Sequence, residues 1–181
     1  MYLFSEGKAA SGKNKSPRVQ LLGSGTILRE SIAAAEMLEK DFGVAADVWS
    51  VTSFNELRRD GLDAERWNML HPEAKQPRVS YVEECLGKRS GPVIASTDYM
   101  KSYADQIRAF LPKRFKVLGT DGFGRSDTRK KLRGFFEVDR SYITVAALKA
   151  LAEEGTIAAS EVTRAIKLYK LNPDKPNPTT V

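Results

Sequence analysis

The chain has 181 residues, of which 41% are apolar and 29% are charged, a composition typical of one globular α/β domain. No apolar run approaches the ~20 residues that a membrane helix needs, and the first residues lack the features of a signal peptide. The net charge is +6, but the sequence shows no zinc-finger spacing, aromatic RNA-binding motif or long basic helix that would indicate binding to nucleic acid. The single cysteine, Cys85, fits a reducing cytoplasm. We therefore predict a cytoplasmic protein that binds neither nucleic acid nor membrane.

The chain divides into a predicted domain and two flanking segments. Residues 1–17 are interpreted as a flexible junction, because residues 5–17 are small, polar and basic. The α/β domain is expected over residues 18–172. Residues 173–181 are expected to form an irregular tail, since Pro173, Pro176 and Pro178 disfavour regular structure there.

Within the domain, four apolar runs predict strands at residues 19–22, 44–51, 92–96 and 116–118. The first helix is predicted by apolar residues that recur at steps of three and four from Leu28 to Phe42. Gly43 then stands at a position where helix ends favour glycine. Residues 52–61 are expected to form a loop with a short helical turn. Further helices are predicted at 63–71, 79–86, 99–111, 127–136, 139–154 and 160–169. Their expected N-caps are Asp63, Thr97 or Asp98, Asp127, Asp139 and Ser160.

The order of these elements predicts the fold class. Strand, helix and strand over residues 19–51 form a βαβ unit, whose two strands are parallel. Parallel strands are buried on both sides and therefore form continuous apolar runs, as residues 19–22 and 92–95 do. We predict a three-layer α/β domain with a mostly parallel sheet of four or five strands and helices on both faces.

A glycine-rich loop over residues 116–127 follows the last predicted strand. Backbone N–H groups in such a loop can surround an anion, but the spacing fits neither a dinucleotide loop nor a Walker loop. Asp121 and Asp127 would repel a phosphate, whereas Arg125 could neutralise one of them or bind an anion. The loop is therefore interpreted as a strand-to-helix turn, with an anion site as the alternative. The shorter sequence Gly23-Ser24-Gly25 after the first strand is interpreted as a tight turn.

No residue pattern predicts catalysis or metal binding. His71 is the single histidine and lies beside Pro72 at a predicted helix end, and Cys85 is expected in the core. No cluster has metal-ligand spacing, and no nucleophile elbow is present. We therefore assign no catalytic, cofactor-binding or metal-binding residue. The candidates for ligand or interface contacts are Asp98, Tyr99, Asp121 and Arg125.

Several sequence motifs, taken together and in their order along the chain, resemble those of a known family. The segments VQLLGSGTILRE, VTSFNELRRDG, STDYMK, LGTDGFGRSD and ITVAALKALAEEG resemble the C-terminal, transketolase-like domain of the homodimeric-type bacterial pyruvate dehydrogenase component. The resemblance runs from about residue 1 to the end of the chain. It implies a domain of a larger enzyme, so the chain is expected to be a fragment of a longer polypeptide.

The resemblance also implies what the intact enzyme does. That enzyme uses thiamine diphosphate and magnesium to decarboxylate pyruvate oxidatively, and it transfers the acetyl group to lipoyl groups of the acetyltransferase component. Both cofactors belong to other domains of the polypeptide, so this domain alone is expected to bind no cofactor and to be inactive. Its implied partners are those other domains, a homodimer partner and the acetyltransferase.

Two other functions compete with this interpretation. One is a stand-alone anion- or nucleotide-binding α/β module that uses the loop from Gly119 to Asp127. The other is a basic nucleic-acid-binding protein, which would show steep salt dependence.

Overall fold

The computed structural model describes residues 1–8 and 16–181, and in these residues five strands form one sheet. The strands are β1 (Tyr2–Ser5), β2 (Arg18–Gly23), β3 (Ala45–Ser50), β4 (Val93–Ser96) and β5 (Phe115–Leu118). Their spatial order is β1-β3-β2-β4-β5. Strands β2 to β5 are parallel, and β1 pairs antiparallel with β3 at one edge. The predicted mostly parallel sheet is thus confirmed.

Helices cover both faces of this sheet, as predicted. They are α1 (Leu28–Phe42), α2 (Phe54–Leu70), α3 (Tyr81–Leu86), α4 (Lys101–Asp105), α5 (Arg129–Phe135), α6 (Arg140–Glu153) and α7 (Ala159–Leu168). Helices α1, α6 and α7 pack in one apolar cluster, and α2, α3 and α4 pack in the other. In the described part of the chain, no helix combines the length and apolar composition that crossing a membrane requires.

Side chains of the central strand β2 alternate between the two faces of the sheet and so contribute to both apolar clusters. Val19 and Leu21 belong to the cluster with α1 and α6, whereas Leu22 points to the cluster with α2 and α3. All three side chains are fully buried. Burying a leucine side chain stabilises a fold by roughly 1.5–3 kcal/mol, so the middle of the sheet is a major source of stability.

The second helix differs from the prediction. Residues 52–61 do not form a loop, because α2 already begins at Phe54 and continues past Asp63 to Leu70. Its N-cap is Ser53, whose hydroxyl accepts a hydrogen bond from the Glu56 N–H at 3.2 Å. Ser53 and Glu56 have the Ser-x-x-Glu spacing of a capping box, which is the local sequence signal for this helix start.

Three further helix predictions are corrected by the structure. Thr128, not Asp127, caps α5, and Asp127 accepts a hydrogen bond from the Thr128 N–H at 2.7 Å. Helix α7 starts at Ala159 and has no side-chain cap, so Ser160 lies inside it. The predicted helix 99–111 is broken into α4 and a 3-10 turn at Arg108–Phe110. Asp139 does cap α6, and it accepts from the N–H groups of Ser141 and Tyr142.

The N-terminal boundary is also corrected. Strand β1 lies within the predicted junction 1–17, yet it pairs with β3 through Tyr2–Ser50 and Leu3–Trp49. The sheet therefore includes residues before Arg18. A four-residue, half-exposed edge strand carries too little periodicity to be detected from sequence. The rest of the predicted junction includes residues 9–15, which lie outside the described residues.

The C-terminal tail has no helix or strand beyond α7, but it packs on the domain. Lys175 donates from Nζ to the Glu137 carboxylate at 3.0 Å and to the backbone carbonyl oxygen of Phe135. Pro178 is buried. The tail therefore covers the connection between α5 and α6.

A buried polar network lies at the amino ends of β2 and β3. Asp47 is 0% exposed, and its carboxylate accepts from the Gly7 N–H at 3.0 Å and from Gln20 Nε2 at 2.9 Å. It also forms an ion pair with Arg18 and lies 3.5 Å from the Arg89 guanidinium. The network holds the chain leaving β1 against the chain entering β2.

Candidate functional site

The carboxyl ends of β2 and β4 form the topological switch point of the sheet. The chain leaves β2 through α1 toward β3 on one face and leaves β4 through α4 toward β5 on the other, so the connections diverge between these neighbouring strands. Ligands of open α/β sheets bind in the crevice at such a point. Ser24 and Gly25 follow β2 here, and Thr97 and Asp98 follow β4.

Hydrogen bonds fix the two loops to each other. Ser24 Oγ donates to Thr97 Oγ1 at 2.9 Å, and Thr97 Oγ1 in turn accepts from the Tyr99 N–H at 3.2 Å. Thr26 Oγ1 donates to the Asp98 carboxylate at 3.2 Å. Asp98 therefore does not cap α4; its carboxylate faces the loop after β2.

On the α1 side of this point lies a cavity of about 510 Å³, which we call the arginine crevice. It is lined by Thr26, Ile27, Asp98, Thr120, Gly122, Gly124, Arg125, Arg129, Leu132, Arg133, Phe136 and Val138. Its volume lies within the usual range for small-molecule sites. Two of the four candidates from the sequence, Asp98 and Arg125, meet in this crevice.

The other two candidates lie elsewhere. Tyr99 lines a second cavity of about 370 Å³ on the α2 side, together with Tyr103 and the loop before α2. Its side chain is 61% exposed. Asp121 lines neither of these cavities but a smaller one of about 200 Å³ beside the C-terminal tail, and it accepts from the Lys101 N–H at 3.2 Å. The structure thus brings together Asp98 and Arg125 but not Tyr99 and Asp121.

The far wall of the arginine crevice is fixed by Glu30 of α1. The Glu30 carboxylate is almost fully buried and accepts from Arg133 at 2.8 Å and from Arg140 Nε at 2.9 Å. Burial raises the pKa of Glu30, but the hydrogen bonds and positive charges of Arg140 and Arg133 outweigh burial, so its pKa lies below the ordinary 4.5. One carboxylate therefore ties α5 and α6 to α1.

Replacing Glu30 with glutamine should lower the free energy of unfolding by about 1–3 kcal/mol at neutral pH, since two arginines lose the negative charge and one of the two oxygens that accept from them. Because the folded pKa is lowered, the contribution of Glu30 is present above its unfolded pKa and is lost as pH falls through the folded pKa. Urea unfolding from neutral to acidic pH should show wild type and variant converging at the acid end. Glu56→Gln, at an exposed ion pair on α2, is the control and should change little.

The remaining chemistry-bearing residues lie apart from this site. His71 is exposed at the end of α2, where its ring stacks on Trp67 at 4.2 Å. Cys85 is partly buried against the cluster that includes α3. Among the described residues, no group of histidine, cysteine and carboxylate side chains is arranged to hold a metal ion.

Sequence reasoning missed several residues of the crevice. Thr26 and Thr120 gave no signal, because single threonines after strands are common in loops. Arg129 and Arg133 stand out only as part of a basic run. Their spacing of four residues places both on one helix face and was an available signal.

The fold and this site define the class of an open, mostly parallel α/β domain with a crevice at its switch point. The family model described as a transketolase-like TK C-terminal domain matches residues 1–139. The chain belongs to this family of transketolase-like C-terminal domains. The match includes β1, in agreement with its place in the sheet.

Similar proteins extend the family assignment. The chain is 64% identical over 179 residues to the pyruvate dehydrogenase E1 component of Pseudomonas aeruginosa, a match covering 98% of this chain and 20% of that protein. Identity to the E1 component of Cupriavidus necator is 60%, covering all of this chain and 20% of that protein. Identity to the E1 component of Escherichia coli K12 is 56%, and the match covers 89% of this chain and 18% of that protein. The chain therefore spans about a fifth of the length of these relatives.

A solved structure supports the fold. The split-gene transketolase described as an inactive beta4 tetramer superimposes with a TM-score of 0.52 at 17% identity, covering 76% of this chain and 40% of that one. At this identity the likeness shows the fold alone. The family resemblance predicted from sequence is confirmed, and the alternative of a stand-alone anion-binding module is not favoured.

Proposed function

We propose that this chain acts as the C-terminal domain of a pyruvate dehydrogenase E1 component. The intact enzyme would decarboxylate pyruvate oxidatively and transfer the acetyl group to lipoyl groups of the acetyltransferase component. The domain would support assembly of the enzyme as a homodimer in the cytoplasm. The observation that carries the proposal is 64% identity across 98% of the chain to a protein of that name.

The thiamine diphosphate and magnesium of the intact enzyme would be bound by its other domains. The described residues do not fit the metal, since they contain no group of carboxylate, histidine and cysteine side chains placed to hold one. We therefore assign no step of the reaction to residues of this chain. Its contribution is to fold and to pack against the rest of the polypeptide.

A domain exchange tests this function. In the Pseudomonas aeruginosa E1 component, the matching 179-residue segment would be replaced by this chain. We expect the chimera to assemble like the parent enzyme and to show comparable pyruvate-dependent activity in the reconstituted complex. At 64% identity, most contacts with the other domains should be retained.

The matched control inserts the corresponding domain of a transketolase, which shares the fold at low identity. That chimera should fail to assemble or should be inactive. If the chimera with this chain assembled but were as inactive as the transketolase chimera, the proposed function would be wrong.

The domain alone should not bind thiamine diphosphate. Calorimetric titration of the 181-residue chain with thiamine diphosphate and magnesium should give no saturable heat, because the binding residues would lie in other domains. The intact Pseudomonas aeruginosa relative serves as the positive control. Micromolar binding by the isolated chain would contradict the expected division between domains.

A further inference from the structure

The arginine crevice contains charged side chains that the proposed role in enzyme assembly does not explain. Arg125 and Arg129 both line it, and within residues 1–8 and 16–181 neither forms an ion pair with a carboxylate. By contrast, Arg133 on the same wall is paired with Glu30. Two uncompensated guanidinium groups therefore face one cavity.

These arginines are partly ordered for binding. The Arg125 guanidinium carbon lies 4.3 Å from the centroid of the Phe135 ring, a cation–π contact that restricts the arginine side chain. Arg129 lies one helical turn before Arg133, whose ion pair with Glu30 holds α5 in place. Planar guanidinium groups bind phosphate through paired hydrogen bonds, and less entropy is lost when they are held in position.

The opposite wall offers complementary polar groups. The hydroxyls of Thr26 and Thr120 line the crevice, and Thr120 Oγ1 donates to the Asp98 backbone carbonyl at 2.8 Å. The Asp98 carboxylate receives a single hydrogen bond from described side chains, that of Thr26, and so has further acceptor capacity. A carboxylate repels phosphate but accepts hydrogen bonds from ligand hydroxyls, as acidic residues do at switch points of related sheets.

The crevice also has an apolar part of its lining. Ile27, Leu132, Phe136 and Val138 line the same cavity. Ligand pockets commonly combine such surfaces with a few polar groups that fix orientation. The charged and hydroxyl-binding groups thus belong to one cavity, with room for a small organic molecule between them.

We propose that the arginine crevice binds a small phosphate monoester that carries hydroxyl groups. Arg125 and Arg129 bind the phosphate, and Asp98 accepts hydrogen bonds from the hydroxyls. The site is a binding site within the domain itself and involves no chemistry. It does not rest on the function proposed above, because binding is measured on this chain without an activity assay.

The test titrates the 181-residue chain with glycerol 3-phosphate, AMP and inorganic phosphate, with glycerol and adenosine as uncharged probes. We expect saturable binding of the two esters and no binding of the uncharged probes. Backbone amide NMR signals of Thr26 and Thr120 should shift on binding. The double variant Arg125→Ala/Arg129→Ala should lower the affinity about tenfold or more, because two charge-assisted contacts are lost.

Lys130→Ala/Lys131→Ala is the matched control, since it removes the same charge from the same segment and neither lysine lines the crevice. Its affinity should stay close to that of the wild type. An equal loss in both double variants, or no saturable binding of either ester, would overturn the site. Asp98→Asn should reduce the preference for glycerol 3-phosphate over inorganic phosphate, and an unchanged preference would overturn the role of Asp98.

Discussion

Replacing Asp47 with alanine is expected to lower the free energy of unfolding by about 3–5 kcal/mol, because it leaves the partly buried Arg18 guanidinium and the buried Gln20 amide without their common acceptor. Asp47 is fully buried and joins Gly7, Arg18 and Gln20 through hydrogen bonds and an ion pair. Urea unfolding followed by tryptophan fluorescence measures the effect directly, since Trp49 donates to Gln20 at 2.8 Å.

The control for this prediction is Asp63→Ala on α2. Asp63 also pairs with an arginine, but both side chains are largely exposed and the distance is 3.4 Å. We expect a change below about 0.5 kcal/mol there. If Asp47→Ala cost no more than Asp63→Ala, the buried network would not be what holds β1 and β2 together.

Gly91→Ala should destabilise the fold by several kcal/mol, or prevent folding, because of a close approach to β2. Gly91 has φ +85, and a Cβ there would lie 1.7 Å from the carbonyl oxygen of Arg18. The backbone has no room to shift, since the Gln20 N–H donates to the Pro92 carbonyl at 2.9 Å beside it. Soluble yield and thermal unfolding followed by circular dichroism measure the result.

Gly43→Ala is the control that distinguishes the steric clash at Gly91 from the cost of a left-handed backbone conformation. Gly43 has φ +64 at the end of α1, but a Cβ there meets nothing within 4 Å. Its expected cost is only the left-handed conformation, roughly 1–2 kcal/mol. Equal losses at both glycines would show that the contact with Arg18 contributes nothing.

Much of the fold could be predicted from local sequence. The strands β2 to β5 are apolar runs, and α1 shows helical periodicity with a terminal glycine, so the parallel sheet and its class follow from local patterns. The start of α2 was predicted wrongly although Ser53 and Glu56 carry the signal. The edge strand β1 carries no comparable signal, because four half-exposed residues gain their stability from pairing with β3.

The candidate site was predictable only in part. Asp98 was identified because it follows a strand of a parallel sheet, and Arg125 because its charge could bind an anion in the glycine-rich loop. Tyr99 and Asp121 lie in the same two loops, yet neither lines the arginine crevice. Position after a strand places a residue at the correct edge, whereas the direction of its side chain depends on loop hydrogen bonds such as that from Thr26 to Asp98.

The fold class and the family of this protein follow from its amino-acid sequence, because both depend on the order of local patterns and motifs along the chain. Which residues act together depends instead on the folded arrangement. Glu30 meets Arg133 and Arg140 across more than 100 residues of sequence, and Asp47 meets Gly7 across 40. Such partners depend on strand order and helix packing, and no local pattern encodes them.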